Sequence, residues 1–404
     1  MLSKNDGKHS SVSSNGNNPE VADIFRLYGE DYRKNHNLSF EQLKVMRHIS
    51  ICRTAALGGH IKRCNQCGYE QNAYNSCRNR HCPKCQTMAK EKWLNDRKAE
   101  LLPVGYFHLV FTLPHELNPI ILYNKRILLD ILFQAVNETL QAFAGDPQWR
   151  LKGQLGFIAV LHTWSQTLMD HFHLHCLIPA GALSFDKDCW VPAGKKFLFR
   201  VESMSKAFRR LYIQKLKAAY KKNQLVFPGN IADEGFNNLI KKLKTKKWIM
   251  YAKRPFTGPE KVVEYLGRYT HRVAISNHRI ISIDDGKVIF SYKDRNDGNK
   301  RKFMTLKADE FIRRFLLHVL PQRFVKIRYF GFMFHRDKQK NIELIRKLLG
   351  TLTVLTEKVE ETVKQIMLRV TGIDISVCPK CGKGRMIPVV RIPMAWYLNI
   401  DLKG

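Results

Sequence analysis

HTWSQTLMDHFHLHCLIPAGAL, residues 162–183, decides how this chain is read. His173 and His175 stand two apart in the apolar run His173–Leu183, with Leu174 between them. Successive side chains of a strand point to opposite faces, so both imidazoles share one face and Leu174 anchors the other. Upstream, Leu155–Trp164 has the same strand character, and Ser165–Phe172 connects the two. Folded back as a hairpin, the segment sets Gln166 roughly opposite His173, with His162 on the same face as Gln166. Asp170 and His171 lie in the connection, also within reach. Two imidazoles at this spacing can grip one divalent ion, and such sites with open positions suit metal-assisted hydrolysis or phosphoryl transfer. Two histidines two apart in a strand are often an accident, so the weight falls on what surrounds them.

Working outward, Tyr106–Pro114 (YFHLVFTLP) reads as a buried strand and Lys246–Arg254 as another. Ile280–Tyr292 reads as a hairpin about the Asp284-Asp285-Gly286 turn. Helices are expected over 21–58, where Ser39 precedes Glu41 and Gln42, and over Ile120–Ala144. Further helices are expected from Gly258 to about Thr270, over 307–320 and over 337–369, with a short strand-like piece at Val325–Phe334. No βαβ rhythm links these elements, which predicts an α+β fold with an antiparallel sheet. Residues 1–20, polar and rich in Ser, Asn and Gly, read as a disordered tail.

The charge balance narrows the partner. Of 404 residues, 68 are Lys or Arg and 35 are Asp or Glu, a net charge of +33. That excess predicts a polyanion, nucleic acid by default. It argues against a hydrolase of small molecules. No apolar run approaches the ~18 residues that spanning a membrane requires, and the first residues carry no secretory signal. A cytosolic chain is expected, in which ten cysteines point to metal more than to disulfides.

Cys64-x2-Cys67 and Cys82-x2-Cys85 are two knuckles separated by 14 residues. Each can turn two thiolates onto one ion, and together they make a tetrahedral, structural Zn²⁺ site. His60, Cys77 and His81 lie in the same stretch and could replace a thiolate or serve a second ion. Arg78 and Arg80 sit between the knuckles, where they could meet phosphates. Cys378-x2-Cys381 is half a site that could recruit ligands from elsewhere or be a turn. Cys52, Cys176 and Cys189 read as isolated core or surface cysteines.

Tyr265-Leu266-Gly267-Arg268-Tyr269 places two phenols one helical turn apart, on one face. A phenol is a competent nucleophile for phosphodiesters when a metal polarises the phosphate. Arg268, His271 and Arg272 could hold phosphates; the bland alternative is a Tyr/Leu core face with basic residues outside.

Taken together, GGHIKRCNQCG (58–68), NSCRNRHCPKCQ (75–86), FTLPHEL (111–117), 162–183, EYLGRYTHRVAISNHRI (264–280), KIRYFGF (326–332) and CPKCGKGRM (378–386) resemble the two-tyrosine, HUH-type rolling-circle transposases of the insertion-sequence 91 family. The likeness runs from about 25 to 390. It departs at Asp170-His171-Phe172-His173, where such proteins often read Asn-Pro-His, which changes the connecting turn and puts the role of His171 in doubt.

The resemblance implies an HUH-endonuclease-like antiparallel sheet with flanking helices, preceded by a small helical and zinc-binding domain. The expected division is a tail (1–20), a helical and zinc-binding domain (21–95), the tyrosine nuclease (96–300) and a helical C-terminal region with its CxxC (301–404). His173, His175 and Gln166 would hold Mg²⁺ or Mn²⁺, and Tyr265 and Tyr269 would attack. The enzyme would nick and rejoin single-stranded DNA at element ends through a 5′-phosphotyrosine link. The sequence has no GxxxxGK[ST] phosphate loop, so strand opening would fall to host replication or helicase factors. The implied location is cytoplasmic, on the nucleoid when bound to DNA. Two alternatives compete: a zinc-ribbon DNA binder without catalysis, and a replication initiator or relaxase using the same chemistry.

Overall fold

The computed structural model describes residues 18–149, 151–194, 197–227, 233–256, 261, 262, 265, 267, 270–351 and 361–394. Its strands are β1 Gly59–Cys64, β2 Glu70–Tyr74, β3 Tyr106–Thr112, β4 Gly153–Gln154, β5 Gly156–Trp164, β6 Asp170–Pro179, β7 Gly181–Ser184, β8 Trp190–Pro192, β9 Met250–Phe256, β10 Ile280–Asp284, β11 Lys287–Asp294, β12 Lys300–Lys307, β13 Ile327–Gly331 and β14 Met386–Ile392. The longer helices that precede β10 are α1 Val21–Asn35, α2 Phe40–Ser50, α3 Pro83–Lys98, α4 Asn118–Tyr123, α5 Lys125–Gly145, α6 Val201–Lys221 and α7 Asp233–Thr245.

The central sheet has five strands in the order β13-β5-β6-β3-β9, every neighbour antiparallel. The expected α+β class is therefore the fold. Leu109, Phe111, Ala159, Leu161, Leu174 and Cys176 face one side, packed with Leu132, Phe133 and Val136 of α5 and Phe208 and Tyr212 of α6. Burial of each Leu, Val or Phe side chain here contributes about 1.5–3 kcal/mol, which makes this the main core. The other side carries His108, His162, His173 and His175, with Val160 and Leu177 beside them. Tyr265, Val262 and Leu94 of α3 pack over that side. Gly331 closes the β13 edge at φ +58, where a Cβ would strike the Leu155 carbonyl.

The β10–β11 turn has Asp285 and Gly286 both at positive φ (44° and 66°), the backbone a two-residue hairpin of this hand demands. Ser39 caps α2 with Gln42 in a reciprocal capping box. The two N-terminal helices pack on the helix Ala308–Leu317, where the Phe25 and Phe315 rings meet edge-on at 5.4 Å.

Two features redraw the expected segmentation. β14 pairs along β1, so the C-terminal strand returns to the N-terminal module. The division at 300/301 falls inside β12, which pairs with β11 throughout. α3, α6 and α7 were not expected as helices. In α6 the apolar stripe Met204, Phe208, Tyr212 and Leu216 is spaced by four, but Lys and Arg fill the turns between. No helix among the described residues is long and apolar enough to cross a membrane.

Candidate active site and metal centres

The histidine face is a product of register. His162 on β5 lies directly opposite His173 on β6, and His175 follows two residues on. Each of the three offers a ring nitrogen within 4.8 Å of the other two. The His173 Nδ1 donates to the His171 carbonyl at 2.8 Å. An N–H is needed there, so the lone pair is on Nε2, the atom left to bind an ion. Burial pushes His173 and His175 well below the usual imidazole range, with neighbouring imidazoles adding to it. Both are neutral near pH 7 and available as ligands.

Beside them on β3, His108 bridges this set to the tyrosine. Its Nε2 lies 2.9 Å from His175 Nδ1, and its Nδ1 is hydrogen bonded to the phenol of Tyr265. Burial, with Lys253 adding repulsion, lowers His108 to about 4. Tyr265 is itself buried, 9% exposed, on the helix over the histidine face.

The expected third ligand, Gln166, is not in this group. The hairpin turn falls at Ser165–Met169, with Leu168 at φ 62° and a bulge between His162 and Trp164. That places Gln166 in the turn, where its carbonyl accepts from Arg279 at 2.6 Å, and sets His162 opposite His173 instead.

The cysteines also sort differently from the chain-order reading. Cys52, Cys77, Cys82 and Cys85 form one cluster; Cys64, Cys67, Cys378 and Cys381 form another. The two knuckles do not share a site because β1 and β2 run between them. The first knuckle closes the far end of that hairpin, and four residue steps separate the pairs Arg63–Glu70 and Gly59–Tyr74, about 13 Å at ~3.3 Å per residue. Cys52, read as isolated, joins the local cluster, and the Cys378 pair joins across the chain. The Sγ atoms are 3.6 Å apart in Cys52–Cys85 and Cys77–Cys85, 3.8 Å in Cys64–Cys381 and 3.7 Å in Cys67–Cys378. Tetrahedral thiolates at ~2.3 Å from zinc stand ~3.8 Å apart, so both clusters fit the ion. Backbone N–H groups of Gly384 and Lys383 lower Cys381 to about 6, favouring the thiolate.

Residues 24–113 match the model described as a transposase zinc-binding domain, and 156–341 match the one described as a putative transposase. A putative transposase of Sinorhizobium fredii, y4qJ, is 46% identical over 379 residues, covering 92% of this chain and 95% of the relative. This chain belongs to the insertion-sequence 91 transposase family. The transposase for insertion sequence element IS801 of Pseudomonas savastanoi pv. phaseolicola is 28% identical, over 73% of this chain and 71% of that one.

The transposase is thus an enzyme acting on DNA, with structural zinc on its cysteines. Its remaining predicted residues fall into four groups. Arg272 is exposed beside the histidine face, and Arg78 is exposed at φ 52°. Arg80 is turned inward: its guanidinium donates to the carbonyls of Phe324 and Pro321, tying the zinc module to the segment before β13 rather than reaching for phosphate. His60 lies within β1 and the His81 ring is desolvated among cationic side chains; neither is in a cysteine cluster. Arg268 and Tyr269 lie outside the described residues. Sequence reasoning missed His108, although it is the one polar residue between Tyr106 and Phe111 of a strand otherwise read as core.

Proposed function

We propose that the transposase cuts and rejoins single-stranded DNA at element ends, with Tyr265 as a nucleophile and His162, His173 and His175 holding a divalent ion. The observation that carries this reading is the join of three imidazoles to Tyr265 through His108 on one face of the sheet. The chemistry such an ion supplies is polarisation of the scissile phosphate. An all-nitrogen donor set favours a transition-metal dication such as Mn²⁺ over Mg²⁺, which prefers oxygen.

The tautomers follow from the ligand assignment. If His175 binds through Nε2, its proton is on Nδ1 and is donated to His108 Nε2. His108 then carries its own proton on Nδ1 and donates it to the Tyr265 oxygen, stabilising the phenolate. The phenol proton passes to solvent, the Tyr265 oxygen attacks phosphorus, the P–O3′ bond breaks, and the 3′ oxygen leaves and takes a proton from solvent. The product is a 5′-phosphotyrosine with a free 3′-hydroxyl, which keeps the bond available for rejoining. Tyr269 would be the second nucleophile, for the other end or the target, and host factors would open the duplex. One zinc per cysteine cluster completes the assignment, with all four positions filled and none open for chemistry.

The test is covalent trapping. Labelled single-stranded oligonucleotides from both flanks of the gene are incubated with the protein and Mn²⁺, with Mg²⁺, or with EDTA. A metal-dependent adduct mapped to Tyr265 and abolished in Tyr265→Phe is expected. Gel-shifted DNA without adduct or cleavage on every flank would sink the reading and leave a zinc-ribbon binder.

A further inference from the structure

Between α3 of the zinc-binding domain and strands β11 and β12 runs an open groove of about 1040 Å³, lined also by the segment His271–Arg279. It adjoins the candidate active site. Trp164, on its lining, stacks on His162 at 4.9 Å and 19°, and Gly267, also on the lining, is two residues past Tyr265. Its polar lining is basic: Lys90 comes from α3, Arg272 from the connecting segment, and Lys293 and Arg301 from the strands. Among the described lining residues the one acid is Glu91, held by Lys90 at 2.9 Å and Arg369 at 3.0 Å. Tyr292 and Trp164 add aromatic surface.

Cationic walls that track a backbone, with aromatic faces on which bases stack, are the chemistry of single-strand recognition. Base faces reach such rings only when unpaired. We propose that this groove holds the single-stranded DNA flanking the scissile phosphate, and that the zinc-binding domain supplies one of its walls. The assignment rests on the nuclease reading above for its position relative to the cut. It gives the zinc module a part in substrate binding that the inward-turned Arg80 does not supply.

The experiment is fluorescence anisotropy on the full chain, with fluorescein-labelled single strands from the gene flanks and the matching duplex, over a range of salt. The variants are Lys293→Ala with Arg301→Ala, and Tyr292→Ala. Lys293 and Arg301 are exposed, so the fold should persist, and thermal melting checks that. The double variant is expected to weaken single-strand binding about tenfold and to flatten the salt slope by about 1.4, at ~0.7 per lost phosphate contact. Tyr292→Ala is expected to cost about tenfold through lost stacking, with less change for duplex. Parent-like affinity and slope in both variants would overturn the proposal, as would an equal loss on duplex. If the Tyr265 adduct forms while the variants bind like the parent, the groove fails and the nuclease reading stands. If the variants lose single-strand binding and no adduct ever forms, the nuclease reading fails and the groove stands as a DNA site.

Discussion

The eight clustered cysteines sit in turns and loops, at the start of α3 and at the end of β1, whereas the three clustered histidines stand on two interior strands of one sheet. The Cys52 cluster is packed into the apolar core of the two N-terminal helices, and the Cys64 cluster packs with Tyr69 and Met386. Cys64 and Cys67 are more than three hundred residues from Cys378 and Cys381, and the β1–β14 pairing and the Asn65–Arg385 hydrogen bonds accompany that contact. In the histidine face the ladder already sets the ligands in place, with Leu161, Leu174 and Cys176 locked in the core behind them. On the reading proposed above, the difference separates two uses of a metal. A closed four-thiolate set adds folding energy, and an open three-imidazole set on a rigid scaffold leaves room for substrate.

The comparison breaks most sharply at Cys82 and Cys85. Replacing both by Ser should remove metal-linked folding energy on the order of 10 kcal/mol and prevent soluble chain from accumulating. Cys378→Ser with Cys381→Ser should instead give soluble protein whose zinc content falls from two ions per chain to one, by metal analysis. Limited proteolysis should then cut first within 363–394. Equal behaviour of the two pairs would mean the clusters are not independent.

At the other pole, His173→Ala should cut oligonucleotide cleavage by about 10³-fold or more while moving the melting temperature only a few degrees. A collapse of the fold would show that the histidine face is structural after all.

A third test concerns a histidine outside both sets. His318 is fully buried, its Nε2 donating to the Leu168 carbonyl at 3.0 Å with Thr163 Oγ1 3.2 Å from Nδ1. Burial lowers it to about 4. The unfolded chain, near 6.5, binds the proton first, so stability is intact above 6.5 and declines as pH falls towards 4. The loss is on the order of 3 kcal/mol. Denaturant titrations at several pH values should show this decline in the parent, and His318→Gln should lack that share of it while still losing whatever acid release of zinc contributes.

What could be read in advance follows the range of the interactions. Alternation alone put His173 and His175 on one face, and apolar runs marked β3, β5, β6 and β9. The partner of His173 required the register, and the turn at Ser165–Met169 sets it so that His162, four residues before Gln166, faces His173. Ligand pairs are visible as CxxC, but which pairs share an ion is a tertiary fact. The eye joins neighbouring knuckles, whereas an intervening hairpin holds them apart. His108 escaped because a lone histidine in an apolar strand carries no spacing signal; the pairing of β3 with β6 and β9 and the Tyr265 helix give it neighbours.

That residue supplies the finest division between scaffold and chemistry. His108 touches His175 through Nε2 and Tyr265 through Nδ1, and two amides can imitate one nitrogen each. Asn is the shorter and can offer an N–H near the Nδ1 position; Gln reaches the Nε2 position. If the hydrogen bond to the phenol is what matters, His108→Ala should lower the cleavage rate by about 10- to 100-fold with single-strand affinity unchanged, and Asn should restore more of it than Gln. If His108 serves instead to orient His175, Gln should be the better replacement, and Mn²⁺ affinity, read by titration without DNA, should fall in Ala and Asn but recover in Gln. A parent-like rate in His108→Ala would remove His108 from the mechanism and leave Tyr265 to be activated by the metal site alone.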